Sequence, residues 1–529
     1  MTTQTSGAGP NRSEATDGPD SLEVTAALRS VLASEPFVRS PGSRKFLAYV
    51  VTEALAGRGA DLSERTIGRR VMGQSEAFDG RFTSMVRVRG SRVRSKLVDY
   101  YGNEGVYDPV RILLPAGTYC PTFERIGQPG TEQGLEAGVV VLRTEHAGTR
   151  PAAQIAHTLA DAVVHRLAGF PGVRVIGPTT TAHPSGAIGA AQRLGLRFVL
   201  QTSVAVRQDE VRLSASLTDA RTGDVVWTAT RADDLSSFSG FEVEDDWASA
   251  VAGQLGDWTG VIHRSERQYP GGQQPSLSYG SYLAFCAYQE NPTPDAIEAA
   301  ALSLDAAIAA GDRSPTILAL RGWIATAEAA QSQAPSDAAT CLEQAEALAR
   351  EALSEQPTLA QAHVVLCNVA LIRGQWDLVA SLAARVAELA SYHPATLFAA
   401  ANAAGVSGDW ERAVELANEA FRLNPHLPGA YHVLPALAAI LAGDDAAALA
   451  EASLINTPGQ PWGPLYRALA LGGLGYLDQA WEEMDGLLEI EPDFLDDPLA
   501  FFRTGMRCSD ADLASLQGHI EPFLRPRCT

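Results

Sequence analysis

The second half of the chain repeats itself, and that repeat limits the available folds more than any other feature. Glycines at 374, 408, 443 and 475 stand 34, 35 and 32 residues apart. They mark turns such as Gly374-Gln375-Trp376, Gly408-Asp409-Trp410 and Gly443-Asp444-Asp445 between alanine-rich apolar stretches. After Gly408 come Ala413, Ala420 and Pro425; the spacing recurs at Ala480, Leu487 and Pro492, and in part at Ala345, Ala352 and Pro357. Small residues let two antiparallel helices approach closely, glycine makes the turn between them, and proline ends the second. A lone helix pair cannot bury its apolar face, so the pairs must stack. The expectation is an all-α array over residues 277–525.

A second constraint lies in residues 81–123. Val86, Gly90, Val93, Leu97 and Tyr100 recur at three- and four-residue steps, which predicts a helix with one buried stripe. Thr83 or Ser84 is the expected cap at its start. Arg81, Arg87, Arg89, Arg92, Arg94 and Lys96 fill the other faces, and no acid lies among them. Exposed helix faces ordinarily mix acids with arginines, because opposite charges one turn apart help the helix. An uncompensated basic face fits a surface that an anion later neutralises. Beyond a loop at 102–108, Val110–Leu114 and Thr118–Phe123 read as strands around a Pro115-Ala116-Gly117 turn. An arginine-bearing helix followed by a hairpin is the layout with which a winged helix meets DNA.

Charge is distributed to match. The whole chain of 529 residues carries a formal −21, which argues against coating nucleic acid along its length. Residues 22–126 nevertheless hold 16 basic against 11 acidic side chains, whereas residues 276–529 hold 12 against 32. The six cysteines form no CxxC pair and read as reduced thiols. The apolar run Val433–Ala442 is interrupted by Pro435 and is too short to span a bilayer. The amino-terminal residues lack the apolar core of a signal peptide. A cytoplasmic protein with no membrane partner is expected.

In chain order, residues 1–20 read as a disordered tail. Leu22–Ala33 and Ser43–Ala56 read as helices separated by Pro36 and Pro41-Gly42, and Ser63–Val71 as a short helix exposing Arg69 and Arg70. Residues 127–137 and 265–276 read as linkers. Between them, residues 138–264 alternate as βαβαβββα, closing with a helix over Trp247–Ile262. Nothing in that stretch has the pattern of an active site. His157 and His165 lack a third ligand at metal spacing. The pairs Asp233-Asp234 and Asp245-Asp246 read as solvated acids. No GxxxxGK[ST], HExxH or GxSxG occurs. No catalysis, metal or cofactor is expected.

Several stretches resemble known families. Phe46-Leu47-Ala48-Tyr49-Val50, Thr66-Ile67-Gly68, Val86-Arg87-Val88, Arg92, Leu97, Tyr100-Tyr101, Asp108-Pro109-Val110-Arg111-Ile112, Pro115 and Gly117-Thr118-Tyr119 resemble the winged helix-turn-helix of response-regulator and CadC-like regulators. Pro171–Ile176, Phe198-Val199-Leu200, Val211-Arg212-Leu213, Thr222-Gly223 and Val226-Trp227 are similar to the TolB amino-terminal-like fold. The glycine-spaced helices resemble tetratricopeptide repeats. The resemblances imply a multidomain chain: an α+β winged helix over residues 21–126, an α/β TolB-like domain over 138–264, then an all-α tetratricopeptide solenoid.

They also imply a transcriptional regulator that binds double-stranded DNA through residues 21–126. Arg69, Arg70, Arg81 and Lys96 are the candidates for phosphate contact, and Arg87, Arg89, Arg92 and Arg94 the pool for base contact. Ser84, Thr118 and Tyr119 complete the candidate surface. The α/β domain and the repeats would sense a ligand, or a protein or peptide partner. Such domains often act as pairs on half-sites, so a homodimer is among the expected states. The alternative is a non-catalytic scaffold whose winged helix docks protein.

Overall fold

The computed structural model describes residues 19–72, 80–102, 105, 108, 110–115, 117–125, 137–179, 184–239, 241–268, 275–332, 334–505 and 508–525. The expected tail at 1–18, the linker residues 127–136 and residues 269–274 of the second linker lie outside them. The chain is mixed α/β with a mostly helical carboxy-terminal half. It divides into two compact units, Met1–Glu132 with Thr180–Leu196, and Gln133–Thr179 with Arg197–Thr529. Among the described residues no helix is long and apolar enough to cross a membrane.

The first unit contains α1 (Ser21–Ala33), α2 (Glu35–Val38), α3 (Pro41–Leu55), α4 (Glu64–Met72) and α5 (Gly80–Gly102), followed by β1 (Val110–Leu113) and β2 (Thr122–Arg125). Asp20 starts α1 through a capping box with Glu23. Pro41, read as a breaker, instead occupies the first turn of α3, where a missing N–H removes no helix bond. Neither Thr83 nor Ser84 caps α5, because the helix already begins at Gly80. The two strands are antiparallel, from Val110↔Arg125 to Leu113↔Thr122. The second strand therefore starts four residues later than expected. Gly117 turns the chain at φ +85°, a conformation that favours glycine. One core joins Val24 and Val31 of α1, Phe46, Leu47 and Val50 of α3, Ile67 of α4, Val86, Val93 and Leu97 of α5, and Val110 and Ile112 of β1.

The second unit opens with β3 (Ala137–Leu142), β4 (Glu145–His146), α6 (Arg150–Leu167) and β5 (Val173–Thr179). The crossover helix α7 (Pro184–Arg193) groups with the first unit. Then follow β6 (Phe198–Arg207), β7 (Glu210–Asp219), β8 (Val225–Asp234), α8 (Glu242–Gly256) and α9 (Val261–Gln268). The sheet order is β5-β3-β6-β7-β8, parallel over the first three and antiparallel over the last three; β4 adds in parallel to β6. The helix expected over Trp247–Ile262 is broken at Asp257–Gly260. A Cβ on Gly260 would lie 2.5 Å from the Leu255 carbonyl oxygen, so this sharp turn excludes any larger residue.

The helical half runs α10 (Leu277–Glu290), α11 (Pro294–Ala309), α12 (Pro315–Gln331), α13 (Pro335–Glu355), α14 (Ala360–Ile372), α15 (Trp376–Leu389) and α16 (Pro394–Val406). It continues with α17 (Trp410–Leu423), α18 (Val433–Leu441), α19 (Asp445–Ala452), α20 (Trp462–Gly473), α21 (Leu477–Ile490), α22 (Pro498–Gly505) and α23 (Asp510–Leu524). The four spaced glycines make one turn four times. In each, the residue after glycine donates to the carbonyl five positions back: Gln375 to Ala370, Asp409 to Ala404, Asp444 to Ala439 and Tyr476 to Leu471. The repeating small residues Ala345, Ala352, Ala413, Ala420 and Ala480 are all fully buried.

Sheet and helices share polar joints. Arg197 and Asp219, both buried, pair at 2.9 Å, and Arg197 also reaches Glu266 of α9 at 3.1 Å. Asp246, read as a solvated acid, instead bridges Arg231 of β8 (2.6 Å) and Arg422 of α17. Asp257 is buried at the start of α16, where the Ala395 N–H donates to it at 3.1 Å. Burial raises its carboxyl to about 7, against hydrogen bonds from the Trp258 and Ala395 N–H groups. Burial lowers His263 to about 3 and His393 to about 4.

These shifts set the acid response. Below the ordinary histidine value of 6.5 the unfolded chain binds protons that folded His263 and His393 refuse, so stability falls as pH drops toward about 4. Asp257 opposes this between about 4 and 7, because the folded carboxyl takes up its proton earlier than the unfolded one. Burial likewise raises Glu244 and Glu266, whereas Glu346 and Glu351, held low by hydrogen bonds from arginines, add to the loss from the two histidines. The thermal midpoint of the second unit should therefore decline across that window. Asp257→Asn, which keeps the acceptor, should steepen the decline; an unchanged slope contradicts the assignment.

Candidate nucleic-acid interface

The inward stripe of α5 is the one its periodicity predicts, with Val86, Gly90, Val93, Leu97 and Tyr100 all buried. Gly90 permits close approach. A Cβ there would stand 3.1 Å from the Tyr119 ring and 3.7 Å from Phe46. Opposite this stripe, Ser84, Met85, Val88, Ser91, Arg92, Ser95 and Val98 are exposed. From Ser84 to Val98 the helix carries no acid.

The basic residues of α5 separate by what they touch. Arg92 is exposed on the outward side. Arg87 is exposed at its side and donates through Nε to Glu64 Oε1 of α4 at 2.6 Å. Glu64 Oε1 also accepts from the Tyr119 hydroxyl at 3.1 Å. The Glu64 hydrogen bond and charge hold the Arg87 guanidinium above its ordinary value. Burial, and then the hydrogen bond to Glu64, raise the Tyr119 hydroxyl.

Arg89, Arg94 and Lys96 are half-buried. Arg94 binds the hairpin. Its Nε donates to the Leu114 carbonyl at 2.8 Å, and its Nη2 to those of Pro115 (3.1 Å) and Thr118 (2.9 Å). Lys96 donates to the Pro36 carbonyl in α2 at 2.5 Å. The Arg89 guanidinium covers Gly42 in α3, so closely that a Cβ on Gly42 would lie 1.3 Å from one of its nitrogens. Thr118 and Tyr119 are half-buried. The Thr118 hydroxyl accepts from the Cys120 N–H at 3.0 Å, and the Tyr119 ring packs edge-on against Phe46.

Arg69 and Arg70 are exposed in the last turn of α4. The side chain of Arg81 lies outside the described residues. Arg69, Arg70, Arg87 and Arg92 are thus exposed, Arg87 while bound to Glu64 of α4, and Arg89, Arg94, Lys96, Thr118 and Tyr119 are half-buried where helices and hairpin meet. The hairpin is held to α5 by further pairs: Tyr100 donates to Asp108 at 2.5 Å, the Ile112 N–H donates to the Tyr101 hydroxyl at 2.8 Å, and Arg111 lies over the Tyr101 ring. The outward Met85, Val88, Ser91 and Ser95 were not among the sequence candidates, although their spacing opposite the buried stripe is a readable signal.

The candidates for other chemistry remain dispersed. His157 and His165 are exposed on α6. Among the described residues no group of three His, Cys, Asp or Glu is placed to hold a metal ion.

No family model matches the chain, and no curated protein sequence matches it. Among solved structures, one similar chain is PelC from Paraburkholderia phytofirmans, described as a dodecamer. Identity is 23%, covering 21% of this chain and 82% of that one, with a TM-score of 0.17. A likeness at that score carries no argument about either fold or function.

Proposed function

We propose that the first unit is a winged helix-turn-helix domain binding double-stranded DNA, and that the protein is a transcriptional regulator. The observation that carries this reading is the outward face of α5. Arg92 is exposed on it, serines lie along it, it carries no acid from Ser84 to Val98, and Arg94 fastens an antiparallel hairpin beside it. Arginine reads guanine through O6 and N7, while Met85 and Val88 offer apolar contact to thymine methyl groups. Arg69 and Arg70 on α4 supply phosphate contacts that fix position without reading sequence. The second unit, read as a TolB-like sheet domain joined to a tetratricopeptide solenoid, is the sensing part, which takes a ligand or a protein partner.

Salt dependence tests the reading. Contact with about five phosphates gives a log–log slope of affinity against salt near −4 to −5. Replacing Glu64 by Gln removes an acid from the interface and releases Arg87. It should tighten DNA binding several-fold and steepen the slope by about one. Weaker binding by a folded E64Q variant contradicts this placement of Arg87.

One observation favours the scaffold alternative. Met85, Val88 and Val98 are exposed by 48%, 50% and 72% on the same face. An apolar face of this kind also suits a protein partner, and a shallow salt response would select that reading.

A further inference from the structure

Resting on the reading that the repeats take a protein partner, the structure assigns one docking groove, and we propose its occupant: a basic amphipathic helix. The groove lies between α11 and the carboxy-terminal end of α12. It encloses about 390 Å³ and is floored by Pro294, Ile297 and Ala301. Leu302 stands on its rim, 66% exposed, one turn from Glu298 and from Asp305 on the same helix face. Buried Arg321 aims two rim carboxylates, holding Asp305 at 2.8 Å and Glu328 at 2.9 Å.

Charge identifies the partner. Residues 291–349 contain eight acidic side chains and two basic ones, Arg313 and Arg321. Both arginines are engaged, Arg313 with Glu351 and Arg321 at the groove. Elsewhere in the array acids meet arginines of their own helix, as in Arg385–Glu388, Arg412–Glu415 and Arg422–Glu419. Helix α11 has no basic residue at all. An apolar floor with an exposed leucine inside a one-sign rim is complementary to a helix carrying apolar anchors flanked by Lys or Arg.

The test uses the full chain and a labelled synthetic peptide of leucine and lysine at helical spacing, with its leucine–glutamate counterpart as control. The expected result is saturable binding of the basic peptide alone. The variant Glu298→Lys/Leu302→Asp, both changes on exposed positions, should weaken it about tenfold or more. Charge reversal at the remote exposed Glu482 on α21 should leave affinity within about twofold. Equal loss from the remote change would mean that net charge alone attracts the peptide, and would overturn the groove. So would an unaffected groove variant. Hydrogen exchange separates the two ways of failing. Protection on other repeat helices removes the groove but leaves the repeats as a partner-binding surface. Protection nowhere removes both.

Discussion

Arg92→Glu should lower the affinity of the protein for its DNA site by about 1–3 kcal/mol, roughly 5- to 150-fold, while leaving the thermal midpoint unchanged. Arg92 is exposed, so the substitution leaves no cavity in the core of the first unit. Replacement by Ala should cost less than by Glu, since only Glu adds repulsion from phosphate. Arg94 is the necessary contrast. Its guanidinium satisfies three backbone carbonyls in the hairpin, so Arg94→Glu would weaken DNA binding by loosening the hairpin and would lower stability at the same time. Fluorescence anisotropy at fixed salt, paired with thermal unfolding, separates the two. If a folded Arg92→Glu variant binds DNA as the parent does, α5 is not the DNA-contacting helix.

The second large effect belongs to the other unit. Asp219→Ala should destabilise it by about 3–5 kcal/mol, because it strands Arg197 where the side chain is almost wholly buried. Burial raises the Asp219 carboxyl, but hydrogen bonds from Arg221 and Arg197 more than offset this and hold it below its ordinary value. Its contribution is therefore present above the unfolded carboxylate value and is lost as pH falls through the folded one. Glu266 remains near Arg197 at 3.1 Å and limits the loss. The double variant Arg197→Met/Asp219→Leu should recover much of the stability, since removing both charges leaves nothing uncompensated. Chemical denaturation followed by tryptophan fluorescence reads both. A single variant as stable as the parent would show that the pair is solvated.

How much of this was legible follows from distance along the chain. The buried stripe of α5 and the glycine turns at 374, 408, 443 and 475 depend on residues within two turns of one another, so periodicity alone reveals them. The fate of each arginine does not. Arg94 and Arg92 look alike in sequence, yet one is claimed by carbonyls 20 to 24 positions away and the other is exposed. Lys96 finds the Pro36 carbonyl 60 positions away. The same limit hid Asp246, whose partners Arg231 and Arg422 lie 15 and 176 positions away. The helix break at Asp257–Gly260 was half legible. Gly260 marks it, but its cause includes a buried carboxylate at the start of a helix 138 positions later. The start of α5 was misplaced because Thr83 and Ser84 are good caps locally, and the helix continues through them.

The most direct test of the central claim is capture of sheared genomic DNA by the full-length protein at roughly physiological salt, followed by sequencing. The expected result is a small set of enriched fragments sharing a motif, lost with Arg92→Glu. Captured DNA with no shared motif, or the same fragments captured by the folded variant, would contradict it.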